Sequence, residues 1–341
     1  MHYKLAFLGF GNVGRATAGL LLRKEAELKE KYGITFSVTA IATGTHGRAI
    51  NPQGLNLPQI LQAVQAGESL NPFTQVASHD TLDFIKKSGA DVLFENSPVN
   101  YETGQPAITH IQTALTLGMH AITANKGPVV HAWHDLKALA QSKGRQFFHE
   151  STVMDGAPIF SLFRGALPAA RLNGFKAVLN STTNLILTRM ENGQSFDDAV
   201  RYAQETGIAE TDPSGDIDGW DSAIKIAAIA TVLMDIPLKP ALIERTGIRG
   251  ITPEMIQSAL HEGKRYKLIC TAKRDDKGIH CSVAPELVPA GSPFYGIEGT
   301  TSLIQFHTDV LGALTLIESD PGPHTTAYGL LADFINATTC A

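Results

Sequence analysis

Lys4-Leu5-Ala6-Phe7-Leu8 runs straight into Gly9-Phe10-Gly11-Asn12-Val13-Gly14. The apolar run is short enough for a buried strand. From Arg15 to about Lys31 the spacing is helical, with Glu25–Lys29 and Glu27–Lys31 at i, i+4, and Gly33 closes the segment. A strand, a glycine turn and a helix in that order open a βαβ unit that binds a dinucleotide. Gly9 permits the tight turn, Gly11 lets backbone approach a pyrophosphate, and Gly14 lets helix and strand pack closely, with the helix N-terminus facing the phosphates. The whole turn, Gly9, Phe10, Gly11, Asn12, Val13 and Gly14, is a candidate cofactor loop. A plain glycine turn is the alternative, and the strand-to-helix context argues against it.

The alternation continues. Phe36–Ala42, Asp91–Phe94 and His120–Thr123 read as strands, and Thr103–Leu117 as a helix. This predicts an α/β, Rossmann-type doubly wound parallel sheet over residues 1–150. Ser97 and Pro98 follow the second of these strands, Asp91–Phe94, at the edge where such sheets hold ligands. After Glu150 the pattern changes. Phe175–Leu179 reads as a strand, Thr183–Glu191 and Trp220–Met234 as helices, and Ser195 caps another helix that ends at Gly207. Leu268–Ala272, Ile279–Val283, Ser302–Phe306 and Ala313–Ile317 are hairpin-like strands. Residues 151–318 therefore form a second α+β domain with a mostly antiparallel sheet, and 319–341 include an amphipathic helix, Thr326–Ile335, that packs back on the first.

In 341 residues the formal net charge is -5, with no long basic run, which excludes a nucleic-acid partner on electrostatic grounds. No apolar run reaches membrane-spanning length, and no signal-peptide core precedes Gly9. Three cysteines, Cys270, Cys281 and Cys340, make no C-x-x-C pair and fit a reducing cytoplasm. Cys270 and Cys281 flank the turn-like 273–278 and are expected as buried thiols on neighbouring strands.

The densest chemistry lies in Glu210-Thr211-Asp212-Pro213-Ser214-Gly215-Asp216-Ile217-Asp218-Gly219-Trp220-Asp221, with Lys225 one turn further on. Three readings compete. A calcium loop would place Lys225 where a bidentate glutamate is required, and the lysine would repel the ion. Carboxylates stabilising a helix N-terminus, each worth roughly 0.3–1 kcal/mol, explain Asp218 and Asp221 but not Lys225. A lysine on a mainly apolar helix, facing carboxylates, can exchange a proton with a substrate oxygen while the carboxylates hold a substrate ammonium.

Glu210, Asp212, Pro213, Asp216, Gly219, Asp221 and Lys225 together resemble the homoserine dehydrogenase signature. The resemblance runs along nearly the whole chain and is to the short form without a C-terminal regulatory domain. Ala124-Asn125-Lys126-Gly127-Pro128 resembles the family's lysine-bearing loop, Asn180-Ser181-Thr182-Thr183-Asn184 its substrate loop, and Asp320-Pro321-Gly322-Pro323 a turn that closes on the cofactor. Glu150-Ser151-Thr152-Val153-Met154-Asp155-Gly156-Ala157 is similar to a loop that binds a monovalent cation through backbone oxygens. The resemblance implies NAD(P)-dependent interconversion of L-homoserine and L-aspartate 4-semialdehyde in threonine, methionine and isoleucine biosynthesis, by a homodimer joined through the second domain. It implies Lys225 as proton-transfer residue with Lys126 and Asp221. Glu210, Asp216, Thr182 and Ser181 would meet the substrate. Gly322, Lys126, Ser97 and Pro98 would meet the cofactor, and Glu150, Val153, Asp155 and Ala157 the cation. Three positions depart from the pattern: Ser181 replaces a glycine, Ile208 an aromatic residue, and Met154-Asp155 the usual glycines. A related oxidoreductase for another amino alcohol, or a nucleotide sensor without turnover, are the rival readings. The sensor would need no Asp221–Lys225 pair.

NAD-preferring sheets place an acid at the end of the second strand. Here Ile41-Ala42-Thr43-Gly44-Thr45-His46-Gly47-Arg48 contains none. Thr43 and Thr45 can hydrogen-bond a 2′-phosphate and Arg48 can pair with it, so NADP is expected to serve at least as well as NAD.

Overall fold

The structure is a computed structural model that describes residues 1–276 and 278–339. The chain divides into two compact units. One is Met1–Pro158 with the segment from Gly322 onward; the other is Ile159–Pro321.

In the first unit the elements are β1 (His2–Leu8), α1 (Asn12–Tyr32), β2 (Thr35–Ala42), β3 (Arg48–Ile50), α2 (Leu57–Gln65), α3 (Thr81–Lys87), β4 (Val92–Glu95), α4 (Ala107–Thr116), β5 (His120–Thr123), α5 (Lys126–Ser142) and β6 (Phe147–Phe148). The sheet order is β3-β2-β1-β4-β5-β6, parallel throughout except that β3 runs antiparallel to β2. The chain builds outward from β1 to β3, then restarts at β4 on the other side of β1. This reversal opens a crevice at the carboxyl ends of β1 and β4.

Strand alternation divides the core. Leu5 and Phe7 of β1 pack on one face with Leu21 and Leu28 of α1, whereas Ala6 and Leu8 pack on the other with Phe84, Ile85 and Ala114. The last helix of the chain, Pro323–Thr339, adds Leu330, Leu331 and Phe334 to the α1 face. Phe7 stacks on Phe94 at 4.8 Å, and Phe94 meets the edge of Phe334 at 6.1 Å. Each such buried ring contributes about 1.5–3 kcal/mol.

α1 starts three residues before the apolar spacing suggests, because the end of the glycine turn is already its first turn. Gly33 adopts φ +64 and caps the helix through Leu28 and Lys29 carbonyls. α4 starts at Ala107 rather than Thr103; the residue before a proline is steered away from helix, and Gln105 precedes Pro106. The expected loop around Lys126 is the first turn of α5, with the side chain of Asn125 accepting from Gly127 N–H.

The second unit contains α6 (Ile159–Ser161), a π-helical turn at Leu162–Ala166, β7 (Leu172–Val178), α7 (Ser181–Glu191), α8 (Phe196–Glu205), α9 (Ser214–Ile217), α10 (Trp220–Leu233), β8 (Glu244–Arg245), α11 (Pro253–His261), β9 (Lys264–Asp275), β10 (Gly278–Pro289), β11 (Ser302–Thr308) and β12 (Gly312–Glu318). The Pro323–Thr339 helix of the first unit is α12. The second sheet, β12-β11-β7-β9-β10-β8, is antiparallel apart from the β10–β8 pair. β9 and β10 extend well past their apolar centres, since polar residues such as Lys264 and Glu286 continue the ladder. Cys270 and Cys281 sit on these neighbouring strands as free thiols, both pushed up to about 12 by burial. Lys277 of the connecting turn, and Cys340, lie outside the described residues. Among the described residues no helix is long and apolar enough to cross a membrane.

Candidate active site

In the first unit the site is made largely of backbone. Gly9 has φ +92, and a Cβ there would lie 2.2 Å from the Asn96 carbonyl oxygen and 2.9 Å from Ser97 N. A Cβ on Gly14 would lie 2.7 Å from the Gly9 carbonyl oxygen. Only glycine lets the ends of β1 and β4 close so tightly. Gly11, exposed and with no atom near its missing Cβ, stands before α1 as its N-cap. The free N–H groups of that helix start are the donors a pyrophosphate takes.

Glu95, at the end of β4, is completely buried. Its carboxylate accepts from the Ser97 hydroxyl, from Ser97 N at 3.3 Å and from Thr123 Oγ1 at 3.2 Å, with His110 Nδ1 at 3.4 Å. Asn125 Nδ2 donates to the carbonyls of Ser97 at 3.0 Å and Pro98 at 3.4 Å. Glu95 and Asn125 thereby hold the 96–98 loop to the N-terminus of α5, where Lys126 sits. The Asn96 amide has both polar atoms buried without a hydrogen-bond partner among the described residues. A bound molecule would satisfy it. The β2–β3 connection is tight: Thr43 Oγ1 donates to Gly47 O at 3.2 Å and accepts from His46 N at 2.6 Å. Arg48 pairs with Ala42 across the ladder.

Gly322 starts the return to this unit. Its carbonyl accepts from the hydroxyls of Thr325 at 2.8 Å and Thr326 at 3.0 Å. The 150–157 segment is tied to the same helix, at its start and further along it. Asp155, at φ +38, accepts from Thr326 Oγ1 at 2.8 Å, and Glu150 N donates to Asp333 Oδ2 at 2.7 Å. Val153 is buried, and Ala157 N donates to Met154 O at 2.8 Å.

In the second unit the site is made of side chains. Asp221 and Lys225 lie one turn apart on α10, a helix buried over much of its surface, and Lys225 Nζ is 2.9 Å from Asp221 Oδ2. Lys225 also donates to the Leu179 carbonyl at 2.6 Å. The buried Asn180, N-cap of α7, donates to Asp216 Oδ1 at 2.6 Å and to Asp221 Oδ2 at 3.1 Å. Burial and the neighbouring Asp221 raise the Asp216 carboxyl above its usual range, against the hydrogen bond from Asn180. Thr182, buried in the first turn of α7, donates to Ile208 O at 3.3 Å, and Ser181 opens the helix half-buried.

The acidic segment is thus sorted. Asp216 and Asp221 join the lysine cluster. Asp212 caps the turn before α9 by accepting from Ser214 N at 3.1 Å. Asp218 pairs with Arg249 at 2.6 Å. Glu210 is exposed, its carbonyl 3.4 Å from Gln204 Nε2. Among the described residues no group of three or more His, Cys, Asp or Glu gathers as a metal site. Asn180 and Glu95 were missed by sequence reasoning; the first lay inside the substrate-loop motif, and the second gave no signal beyond its place at a strand end.

A Rossmann unit shaped for a dinucleotide and, in the same chain, a unit that carries a buried lysine–carboxylate cluster define a nicotinamide-dependent oxidoreductase. The model of the homoserine dehydrogenase NAD-binding domain matches residues 9–150, and that of homoserine dehydrogenase itself matches 158–335. The chain belongs to the homoserine dehydrogenase family. It is 34% identical to an NAD(+)-dependent homoserine dehydrogenase of Pseudomonas canavaninivorans over 98% of this chain and 96% of that protein. With the homoserine dehydrogenase of Methanocaldococcus jannaschii it shares 35% over 97% of each. A hyperthermophilic archaeal homoserine dehydrogenase in complex with NADPH superposes with a TM-score of 0.83 at 27% identity, covering 100% of this chain and 99% of that one.

Proposed function

We propose that the chain interconverts L-homoserine and L-aspartate 4-semialdehyde, with Lys225 as the proton-transfer residue. The observation that carries this is the Asp221–Lys225 pair, held at 2.9 Å and largely shielded from solvent. In reduction of the semialdehyde, the Lys225 ammonium stabilises the developing alkoxide and protonates it; in the reverse direction the amine, or a water it holds, takes the hydroxyl proton. Asp221 keeps the lysine in place. Asp216 and Glu210 receive the substrate ammonium, and Thr182, Ser181 and the N-terminus of α7 receive its carboxylate. Lys126, at the N-terminus of α5, is a second proton-handling and cofactor-contacting group.

The nicotinamide ring supplies the hydride chemistry when bound. The glycine turn, the N-terminus of α1 and the unpartnered Asn96 amide fit such a dinucleotide. Gly9, Phe10, Gly11, Asn12, Val13 and Gly14 would hold its phosphates, Ser97, Pro98 and Gly322 its nicotinamide half, and Thr43 and Arg48 its 2′ position. We read NADP(H) as serving at least as well as NAD(H), since no acid stands between Ala42 and Arg48. Backbone oxygens of Val153, Asp155 and Ala157, with Glu150, are the proposed holders of a monovalent cation. A homodimer joined through the second unit, working in the cytoplasm, completes the reading.

One spectrophotometric assay tests the core of it. Homoserine should be oxidised with NADP+ or NAD+ in preference to other amino alcohols. Turnover of another amino alcohol without homoserine would replace the substrate, and cofactor binding with no turnover at all would favour a nucleotide sensor.

A further inference from the structure

Asn180 is buried, and its one amide uses all of its hydrogen-bonding capacity. The Nδ2 group donates one bond to Asp216 at 2.6 Å and one to Asp221 at 3.1 Å. The Oδ1 atom accepts from Thr183 N at 2.8 Å and from Thr183 Oγ1 at 2.9 Å. The same Asp221 oxygen that receives the amide also receives Lys225. The amide therefore joins three helix starts: α7 by its cap, α9 through Asp216 and α10 through Asp221.

Two carboxylates this close repel one another, and in a partly buried site the repulsion is large unless a donor lies between them. From the geometry we infer that Asn180 is a positioning residue for the reaction: its amide bridges Asp216 and Asp221, holds the two carboxylates side by side and aims Asp221 at Lys225. A neutral group with two donors is what the position requires. A lysine would compete with Lys225 for Asp221, and a carboxylate would add a third negative charge.

A helix cap alone would be a sufficient structural reason for Asn at this place, and the test separates the two roles. Asp and Ser are both good N-caps, so Asn180→Asp and Asn180→Ser retain the bond to Thr183 N but lose the bridge. We expect kcat to fall about tenfold or more in Asn180→Asp and less in Asn180→Ser. The acid limb of the kcat–pH profile should move to higher pH in both, because a proton now stays on the carboxylates longer. Cofactor affinity, read by fluorescence titration, should not change, as the crevice belongs to the other unit. In Asn180→Asp with Asp216→Asn the amide and the carboxylate trade places, and the acid limb should move back toward the wild-type position. Wild-type kcat and pH profile in both single variants would overturn the inference, as would a displaced limb that the exchange leaves untouched.

The inference rests on Lys225 as the proton-transfer residue, so Lys225→Ala is assayed alongside. If that variant still turns over, the reading of the site is wrong. If it is inactive while the Asn180 variants behave as wild type, only the role of Asn180 is wrong.

Discussion

In the first unit the atoms offered to a ligand are mainly backbone N–H groups at a helix start, and what distinguishes the residues is the side chain they lack. In the second unit they are charged side chains on and beside a buried helix. The first arrangement is a matter of space: Gly9 and Gly14 are fixed by oxygens within 2.2 and 2.7 Å of a would-be Cβ. The second is a matter of charge: Asp216, Asp221 and Lys225 are fixed by one another and by Asn180. The two should therefore fail differently, the first when an atom is added and the second when a charge is removed.

Lys225→Ala gives the largest expected effect. kcat should fall about 10²–10⁴-fold, the usual contribution of a positioned acid–base group. Cofactor affinity should remain near wild type, and loss of cofactor binding would remove the contrast between the units. Gly9→Ala should do the reverse. Its methyl group collides with the Asn96 carbonyl at a positive φ, so cofactor affinity should drop by about tenfold or more and stability by about 1–3 kcal/mol. Titration with reduced cofactor and thermal melts check both, and an unchanged dissociation constant would show that the crevice has slack the distances deny.

Arg48→Ala sharpens the comparison, because it is a charged side chain in the unit otherwise ruled by backbone. NADP(H) efficiency should fall several-fold, the scale of one partly exposed charge-assisted bond, with NAD(H) nearly unaffected. Measured kcat/KM for both cofactors decides it; a strong native preference for NAD(H) that the substitution does not alter would remove Arg48 from the site.

The smallest effect concerns pH. Burial, and then Asp221, raise the carboxyl of Asp216 in the folded chain above the ordinary 3.8. A raised acid pKa means that folding favours the protonated form. Its stabilising contribution is complete below the unfolded value and is lost as pH rises through the folded one. At neutral pH the ionised Asp216 is thus a burden on the fold. Asp216→Asn, which keeps an acceptor for Asn180, should melt higher than wild type at neutral pH and equal to it in acid. Parallel melts across that range test the sign, and a wild type that is the more stable at neutral pH would reverse it.

The same contrast governs how much was legible beforehand. The glycine turn, the parallel alternation and the hairpin sheet are written in local periodicity, and they appear where the residues suggest. β3, three residues long, carries too little pattern to read, and α5 was hidden behind Pro128, which a first helical turn tolerates. α2 and α3 went unread although Asn56 and Asp80 cap them and Leu57, Ile60 and Val64 recur at helical spacing. In the second unit sequence spacing alone paired Asp221 with Lys225. It did not divide the five acids among a cap, an Arg249 pair, the surface and the cluster, because that division depends on residues distant in the chain. Asn180 is 36 residues from Asp216, and Arg249 is 31 from Asp218.

The discontinuous first unit sets an order of events on the ribosome. Leu330, Leu331 and Phe334 belong to the same core as Phe7 and Phe94. Those rings are synthesised near the start, yet the helix that covers them is made only after the whole second unit. A growing chain therefore carries an uncovered apolar face on its nucleotide fold through most of its synthesis. The first part to be made is the last to be finished.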